Sequence, residues 1–284
     1  MNNLEGRVAA ITGAASGIGR ALAINFAQRG CHVAISDVNE TELAKTEEMV
    51  KAYGVNVTSQ KLDVADKSAM HAWADQVAKD HGKVNIIINN AGVALVDTVE
   101  QVKYEDFEWI MGINFWGVVY GTKAFLPYIK SAGEGHIVNI SSVFGIIAVP
   151  TQGTYNAAKF AVRGFTEALI EELDVEESPI KATCVHPGGI ATNIAADSRV
   201  NEELESFSSK EKMAADFKKV ARTSPDKAAK TIINGILKEK RRVLIGADAY
   251  VIDNMQRFLP TGYQKLLAMG TKRQQKAQAI PAAK

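Results

Sequence analysis

The chain has 284 residues, 46% of them hydrophobic, and its 33 Lys plus Arg nearly cancel 32 Asp plus Glu to leave a formal net charge of +1. That length accommodates one large α/β domain or two small ones, and so even a charge balance excludes a global nucleic-acid footprint. Two cysteines, Cys31 and Cys184, and five scattered histidines exclude a disulfide framework or zinc site, and no metal is expected.

In chain order, short apolar runs alternate with helical patterns. Residues 7–13, 32–37, 57–64, 84–90, 135–141, 180–188 and 241–246 read as strands, and 17–30, 40–53, 67–81, 104–131, 155–176 and 225–239 read as helices. Most strand runs are continuously apolar, which suits parallel strands covered on both faces. The alternation predicts an α/β fold, a doubly wound parallel sheet of about seven strands with helices on both faces, in a single domain over residues 1–246. Two segments stand outside the pattern: a charge-rich insertion at 191–222 and a C-terminal extension at 247–284. "MNNLEGRVAAITG" lacks a basic segment ahead of a long apolar stretch, and no run approaches the roughly 18 apolar residues of a membrane span. A cytosolic (cytoplasmic) address is expected.

"ITGAASGIGRALA" at 11–23 follows the first strand and opens the first helix. Gly13, Gly17 and Gly19, with Ser16 and Ile18 among them, let the backbone turn tightly and approach a pyrophosphate at the positive end of that helix. The spacing is G-x-x-x-G-x-G and departs from the general G-x-G-x-x-G fingerprint. The second strand ends in Asp37, near the distance expected for a carboxylate that accepts hydrogen bonds from an adenosine ribose. A carboxylate there repels a 2′-phosphate, and Ser16, Val38 and Asn39 supply no cation to offset it. NAD is therefore expected in preference to NADP.

"TYNAAKF" at 154–160 sets Tyr155 and Lys159 one helical turn apart, on a shared face. A free phenol, with a pKa of about 10, is a poor base near neutrality, and lowering it by about three units needs roughly 4 kcal/mol from a close cation. Taken alone, the spacing also fits an aromatic contact beside a solvated lysine.

Together these segments resemble the short-chain dehydrogenase/reductase family over roughly residues 5–246. "TGAASGIG" from Thr12 to Gly19 is similar to its cofactor turn, and "LDV" at 62–64 to its adenine-side segment. "NNAG" at 89–92 is similar to the stretch bordering the cofactor, and "HPGGIAT" at 186–192 to the one closing over the nicotinamide. The resemblance implies a Rossmann-type fold and cofactor contacts from Asp63, Val64, Asn90, Ala91, Gly92, Pro187, Gly188, Ile190 and Thr192. It also implies a catalytic set. Tyr155 would carry the proton, while Lys159 would lower its pKa and bind the nicotinamide ribose. Ser142, thirteen residues before Tyr155 with Ser141 as the neighbour to exclude, would hydrogen-bond the substrate oxygen. Asn114, in "GINFWG", would hold a water between Lys159 and solvent. The implied activity is NAD(H)-dependent hydride transfer to or from a secondary alcohol or ketone. A related epimerase or dehydratase, and a catalytically silent dinucleotide-sensing protein, are the alternatives.

"VFGIIAVP" at 143–150 and "GGIATNIA" at 188–195 contain no Arg or Lys, so a neutral, fairly hydrophobic small-molecule substrate is expected. Val143, Phe144, Val149 and Ile190 are candidate wall residues, with Gly189 in the lining and Gln152 as a polar contact. The insertion at 191–222 reads as a lid with Phe207, Met213 and Phe217 as its large apolar groups. The extension reads as partly helical, interrupted at Pro260, with Val251, Met255, Phe258, Leu259, Tyr263 and Leu266 about one turn apart. It would pack on the subunit or its neighbour. The alternative is a peripheral membrane contact, suggested by Lys272, Arg273 and Lys276. The resemblance further implies a homotetramer or homodimer through residues 155–173 and 225–239, with Phe160, Phe165, Leu169, Ile232, Ile233 and Ile236 as its apolar surface.

Overall fold

The computed structural model describes residues 3–201, 215, 216 and 218–279. The first half runs β1 (Val8–Thr12), α1 (Gly17–Ala27), β2 (His32–Asp37), α2 (Glu40–Lys51), β3 (Val57–Lys61), α3 (Lys67–His81), β4 (Ile86–Asn89) and β5 (Leu95–Val96). It continues with α4 (Tyr104–Met111), α5 (Gly117–Ser131), β6 (Gly135–Ile140), α6 (Gly153–Val175), β7 (Ile180–Pro187) and β8 (Arg199–Val200). The last elements are α7 (Pro225–Leu237), β9 (Arg242–Ile245), α8 (Ala247–Phe258) and α9 (Gly262–Ala279).

Seven strands form one sheet in the order β3-β2-β1-β4-β6-β7-β9, and every pairing is parallel. This is the doubly wound sheet that the alternation predicted. Strands β1, β4 and β6 are buried at every residue, which is why their sequences are apolar without alternation. Ile86 and Ile88 enter the core on one face with Phe26, Ile232 and Ile236, while Ile87 enters the core on the other with Trp73, Phe125 and Leu169. The chain reverses direction across the sheet between β1 and β4, and a crevice at the carboxyl ends of such strands is where a ligand binds in this architecture.

Two local features differ from expectation. The single helix expected over 104–131 is two helices joined by a π-helical turn, Gly112–Trp116. A second, two-stranded sheet pairs β5 with β8, elements too short to show any periodicity. The extension packs on the subunit, one of the two placings expected of it. Tyr263, Met255, Ile252 and Leu267 pack on Ile146, Ile147, Val149 and Leu244, while Val251, Phe258, Leu259 and Leu266 stay exposed. The break between α8 and α9 falls at Leu259–Thr261, around Pro260 as expected.

The interface expectation needs correction. Leu169, Ile232, Ile233 and Ile236 are all buried within the subunit: the apolar face of α7 is covered by α1 and the sheet, and Leu169 of α6 packs into the core on the other face with Trp73 and Phe125. Phe165 meets Phe115 edge-on, and only Phe160 of the six is an exposed large side chain. The insertion leaves and returns at one place. Ala191 N donates to Thr223 O at 2.9 Å, and Thr223 N donates to Gly189 O at 3.2 Å. Phe207, Met213 and Phe217 lie outside the described residues.

Candidate active site

The turn after β1 is built mostly from main chain. Thr12 Oγ1 accepts from Asn90 N (3.0 Å) and Ala91 N (3.1 Å), and Asn90 Nδ2 donates back to Thr12 O (2.9 Å) and Gly13 O (3.1 Å). The end of β4 is thereby laced to the turn. Gly13 has φ +65°, and a Cβ there would stand 2.7 Å from Ala91 Cα; a Cβ on Gly19 would overlap Gly13 O. Only glycine closes this turn. Ser16 caps α1 in an extended conformation without a side-chain bond, so the positive end of an eleven-residue helix stays open to an anion. Thr192 Cγ2 lies 3.1 Å from where a Cβ on Gly17 would be, so the segment after β7 reaches the turn from the opposite side. Such a cradle fits a dinucleotide's pyrophosphate.

Asp37 leans over the same turn. Its Oδ2 accepts from Ala15 N (3.0 Å) and its Oδ1 from Asn39 N (3.0 Å). The fold also brings in Arg20, which the sequence reading passed over. Arg20 donates to Ala15 O and Thr46 Oγ1, and pairs with Glu42 at 2.7 Å. Its charge is thus met by Glu42 rather than left for a 2′-phosphate. Asp63 is exposed and accepts from Ala65 N at 2.9 Å. Val64 is buried against Gly117, so its side chain serves the core and only its main chain is left for a base.

The chemistry gathers where β6 ends. Helix α6 starts at Gly153, placing Tyr155 and Lys159 in its first two turns. Lys159 Nζ lies 5.6 Å from the Tyr155 ring centre and donates to Ile140 O at 3.0 Å. A Cβ on Gly92 would stand 3.5 Å from that Nζ and 3.2 Å from Asn114 Oδ1, so both groups flank the Gly92 main chain. Ser142 Oγ accepts from Phe144 N at 3.1 Å and hydrogen-bonds the Tyr155 hydroxyl. Ser141 is committed elsewhere: its Oγ donates to Lys159 O at 2.8 Å, tying β6 to α6. The structure therefore brings together Asn114, Ser142, Tyr155 and Lys159.

The electrostatics run against expectation. Burial pushes the Tyr155 phenol up to about 12, with a hydrogen bond from Ser142 pulling it partly back, and pushes the Lys159 ammonium down to about 8. The Tyr155 side chain is partly exposed by area, but its hydroxyl is the crowded end and sets the shift. Loss of hydration at both groups outweighs their mutual support. Asn114 makes contacts that its implied role did not include. Its Oδ1 accepts from Val93 N and its Nδ2 donates to Val93 O, both at 2.8 Å, so the amide also clamps the loop after β4. It sits in the middle of the π-helical turn, a feature frequent at functional sites.

Of the expected wall residues, Phe144 fits best, meeting Tyr155 edge-on at 6.1 Å. Val143 and Ile190 are corrections: both are buried, and Ile190 joins the core beneath α1 and α7. Val149 packs against the extension, and Gln152 is partly exposed and pairs in a bridge with Asp97. The Gly189 main chain donates to Asp248 Oδ2 at 2.6 Å, and a Cβ there would press on Val220 O. A Cβ on Gly188 would overlap the Asp248 carboxylate, while Pro187 ends β7, buried.

Three supports went unread in the sequence. Asn156, buried beside Tyr155, donates to Phe144 O (2.9 Å) and Ile147 O (3.0 Å) and accepts from Val149 N (3.1 Å). Asp248 holds Gly189 from 59 residues away, and the Tyr263 hydroxyl accepts from Ala148 N at 3.2 Å from 115 residues away. Only Asn156 had a signal, its place next to the tyrosine.

Residues 7–203 match the family described as short chain dehydrogenase. The chain belongs to that family. A Mycobacterium tuberculosis protein named as an oxidoreductase, SadH, is 49% identical over 274 residues, covering 95% of this chain and 97% of its own. A short-chain dehydrogenase/reductase from Burkholderia phymatum, solved with NAD, superposes with a TM-score of 0.83 at 29% identity, over 90% of this chain and 95% of its own. Carveol dehydrogenase from Mycobacterium avium, also solved with NAD, gives 0.78 at 25% identity, over 88% and 100%. This short-chain dehydrogenase is an oxidoreductase by family. Among the described residues, no His, Cys, Asp and Glu cluster could hold a metal ion, and no helix is long and apolar enough to cross a membrane.

Proposed function

We propose that the protein is an NAD(H)-dependent alcohol dehydrogenase or ketoreductase acting on a neutral, fairly hydrophobic secondary alcohol or ketone. The observation that carries this reading is the convergence of Ser142, Tyr155 and Lys159 where β6 ends, beside the glycine turn. Tyr155 moves the proton at the substrate oxygen. Ser142, hydrogen-bonded to Tyr155 in the absence of substrate, turns its hydroxyl hydrogen to that oxygen and stabilises charge as it develops. Lys159 and Asn114 hold the Gly92 main chain between them. Asp37 selects the ribose that lacks a 2′-phosphate, and the NAD-bound neighbours support that choice. When bound, NAD supplies the hydride chemistry and a cationic ring whose field favours the phenolate that burial disfavours.

The test is NADH formation at 340 nm with a panel of secondary alcohols, and its consumption with the matching ketones. Turnover with NAD and a higher kcat/KM than with NADP is expected. No turnover with any member, while NADH still binds, would overturn the reading in favour of a sensing protein. The same proposal includes a homotetramer or homodimer in the cytosol, with Tyr104, Trp116 and Phe160 as exposed aromatic surface. A monomer by light scattering at micromolar concentration would end the assembly part.

A further inference from the structure

His186 is fully buried on β7, and its imidazole takes over where main-chain pairing stops. The β6–β7 ladder ends with Ile140 opposite Val185, and Ser141 N still donates to Val185 O at 2.8 Å. One residue further, His186 Nδ1 lies 2.9 Å from the Ser142 carbonyl oxygen, which also accepts from Gly145 N at 2.9 Å. A carbonyl can only accept, so Nδ1 carries the proton and the ring is in its Nδ1–H tautomer. The other nitrogen, Nε2, has no hydrogen-bond partner among the described residues. Arg163 and Glu167 of α6 and Arg242 of β9 are the charged groups around it, and burial pushes the imidazole down to about 4. The ring therefore stays neutral near pH 7 and keeps its donor. A buried imidazole with one nitrogen unsatisfied costs stability that an apolar side chain would not. What offsets the cost is a single bond, and the far end of that bond is the serine at the reacting centre.

We propose that His186 is a positioning residue for the reaction: its Nδ1–H holds the Ser142 carbonyl and thereby aims Ser142 Oγ at the substrate oxygen. This rests on the proposed role of Ser142. The serine is extended, with φ −166° and ψ 168°, and the bonds from Phe144 N, Gly145 N and His186 fix both its hydroxyl and its carbonyl. Removing the imidazole bond leaves the Ser142 carbonyl on Gly145 N alone and loosens the 142–143 peptide. A donor that is misaimed loses most at the transition state, because such stabilisation depends on preorganised geometry.

His186→Leu removes the donor, while His186→Asn restores an N–H at the same number of bonds from Cα. The expected result is a kcat at least about tenfold lower for the leucine variant, with substrate KM and NADH affinity close to wild type, and recovery to within about threefold for the asparagine variant. In a Ser142→Ala background, His186→Leu should lower kcat no further. Wild-type kcat in the leucine variant, equal losses for Leu and Asn, or additive losses with Ser142→Ala would each overturn the proposal. If the leucine variant does not fold, His186→Gln, whose amide sits one bond too far out, should be slower than His186→Asn, and equal rates would overturn it. Full activity in Ser142→Ala alone would instead remove the proposed role of Ser142.

Discussion

The turn after β1 and the loops after β6 and β7 are held in different ways. The first is a close backbone approach that Gly13 and Gly19 permit, laced at short range by the Thr12 hydroxyl and the Asn90 amide between the ends of neighbouring strands β1 and β4. The second is a set of loops propped by side chains: Asn156 under residues 144–149, His186 under Ser142, Asp248 at Gly189 and Tyr263 at Ala148. A backbone cradle suits a ligand that never changes. Side-chain props can be exchanged one at a time, so the substrate end can vary while the cofactor end stays constant.

The sharpest way to separate the two ends is Tyr155→Phe. It should lower kcat about a thousandfold or more while NADH binds as before, because only the proton-carrying hydroxyl at the substrate end is lost. A tenth of wild-type kcat surviving would mean that another group moves the proton. The pH dependence of the wild type carries the same information. A phenol pushed up to about 12 is mostly protonated at neutrality, so alcohol oxidation, which needs the base, should rise with pH. Ketone reduction, which needs the acid, should not. A flat oxidation profile from pH 7 to 10 would break the assignment.

Acid should weaken the whole fold through two buried imidazoles, His136 near the start of β6 and His186 near the end of β7. His136, bonded to Thr183 Oγ1 at 2.7 Å, and His186 are each pushed down to about 4 by burial. Their unfolded value is about 6.5, so between these limits the unfolded chain binds more protons. The stability is fully present above about pH 6.5 and is lost as pH falls towards 4, on the order of 3 kcal/mol per histidine. Urea melts at pH 7 and pH 4.5 measure it, and equal midpoints would contradict the burial of both rings.

At the cofactor end, Asp37→Ala should reduce the preference for NAD over NADP about tenfold (roughly 1.4 kcal/mol) without touching kcat for the better cofactor. Wild-type kcat/KM values that favour NADPH would refute the role of Asp37, and would imply that Arg20 escapes Glu42. The smallest effect belongs to Tyr263→Phe, which removes only the acceptor for Ala148 N. KM should rise about threefold for bulky substrates and stay unchanged for small ones. Equal shifts for both would reduce Tyr263 to a structural prop.

The proposed quartet was legible through the family resemblance, with Tyr155 and Lys159 on one helix and Ser142 just past the strand before it. What they do to one another was less legible. The i, i+4 spacing argued for a lowered phenol, but burial of both groups reversed the direction. Asn114 was found by its motif, but its clamp on Val93 was not, because the π-helical turn that carries it is invisible to hydrophobic periodicity. Ile190 read as a pocket wall and the isoleucines of α7 as interface surface, since a sequence shows which residues avoid water but not which neighbour covers them.

By itself the sequence determined the parallel sheet, the glycine turn and the aspartate at the end of β2. Each is dictated by local rules: continuous apolar strands, φ values that only glycine tolerates, and the reach of a single loop. Tertiary structure alone decided the props of the substrate end and the placing of the extension. Hydrogen bonds such as Tyr263 to Ala148, closed over 115 residues, leave no periodic trace in the chain. They exist only once the sheet has brought the carboxyl ends of β6, β7 and β9 side by side, and α8 and α9 have packed across them.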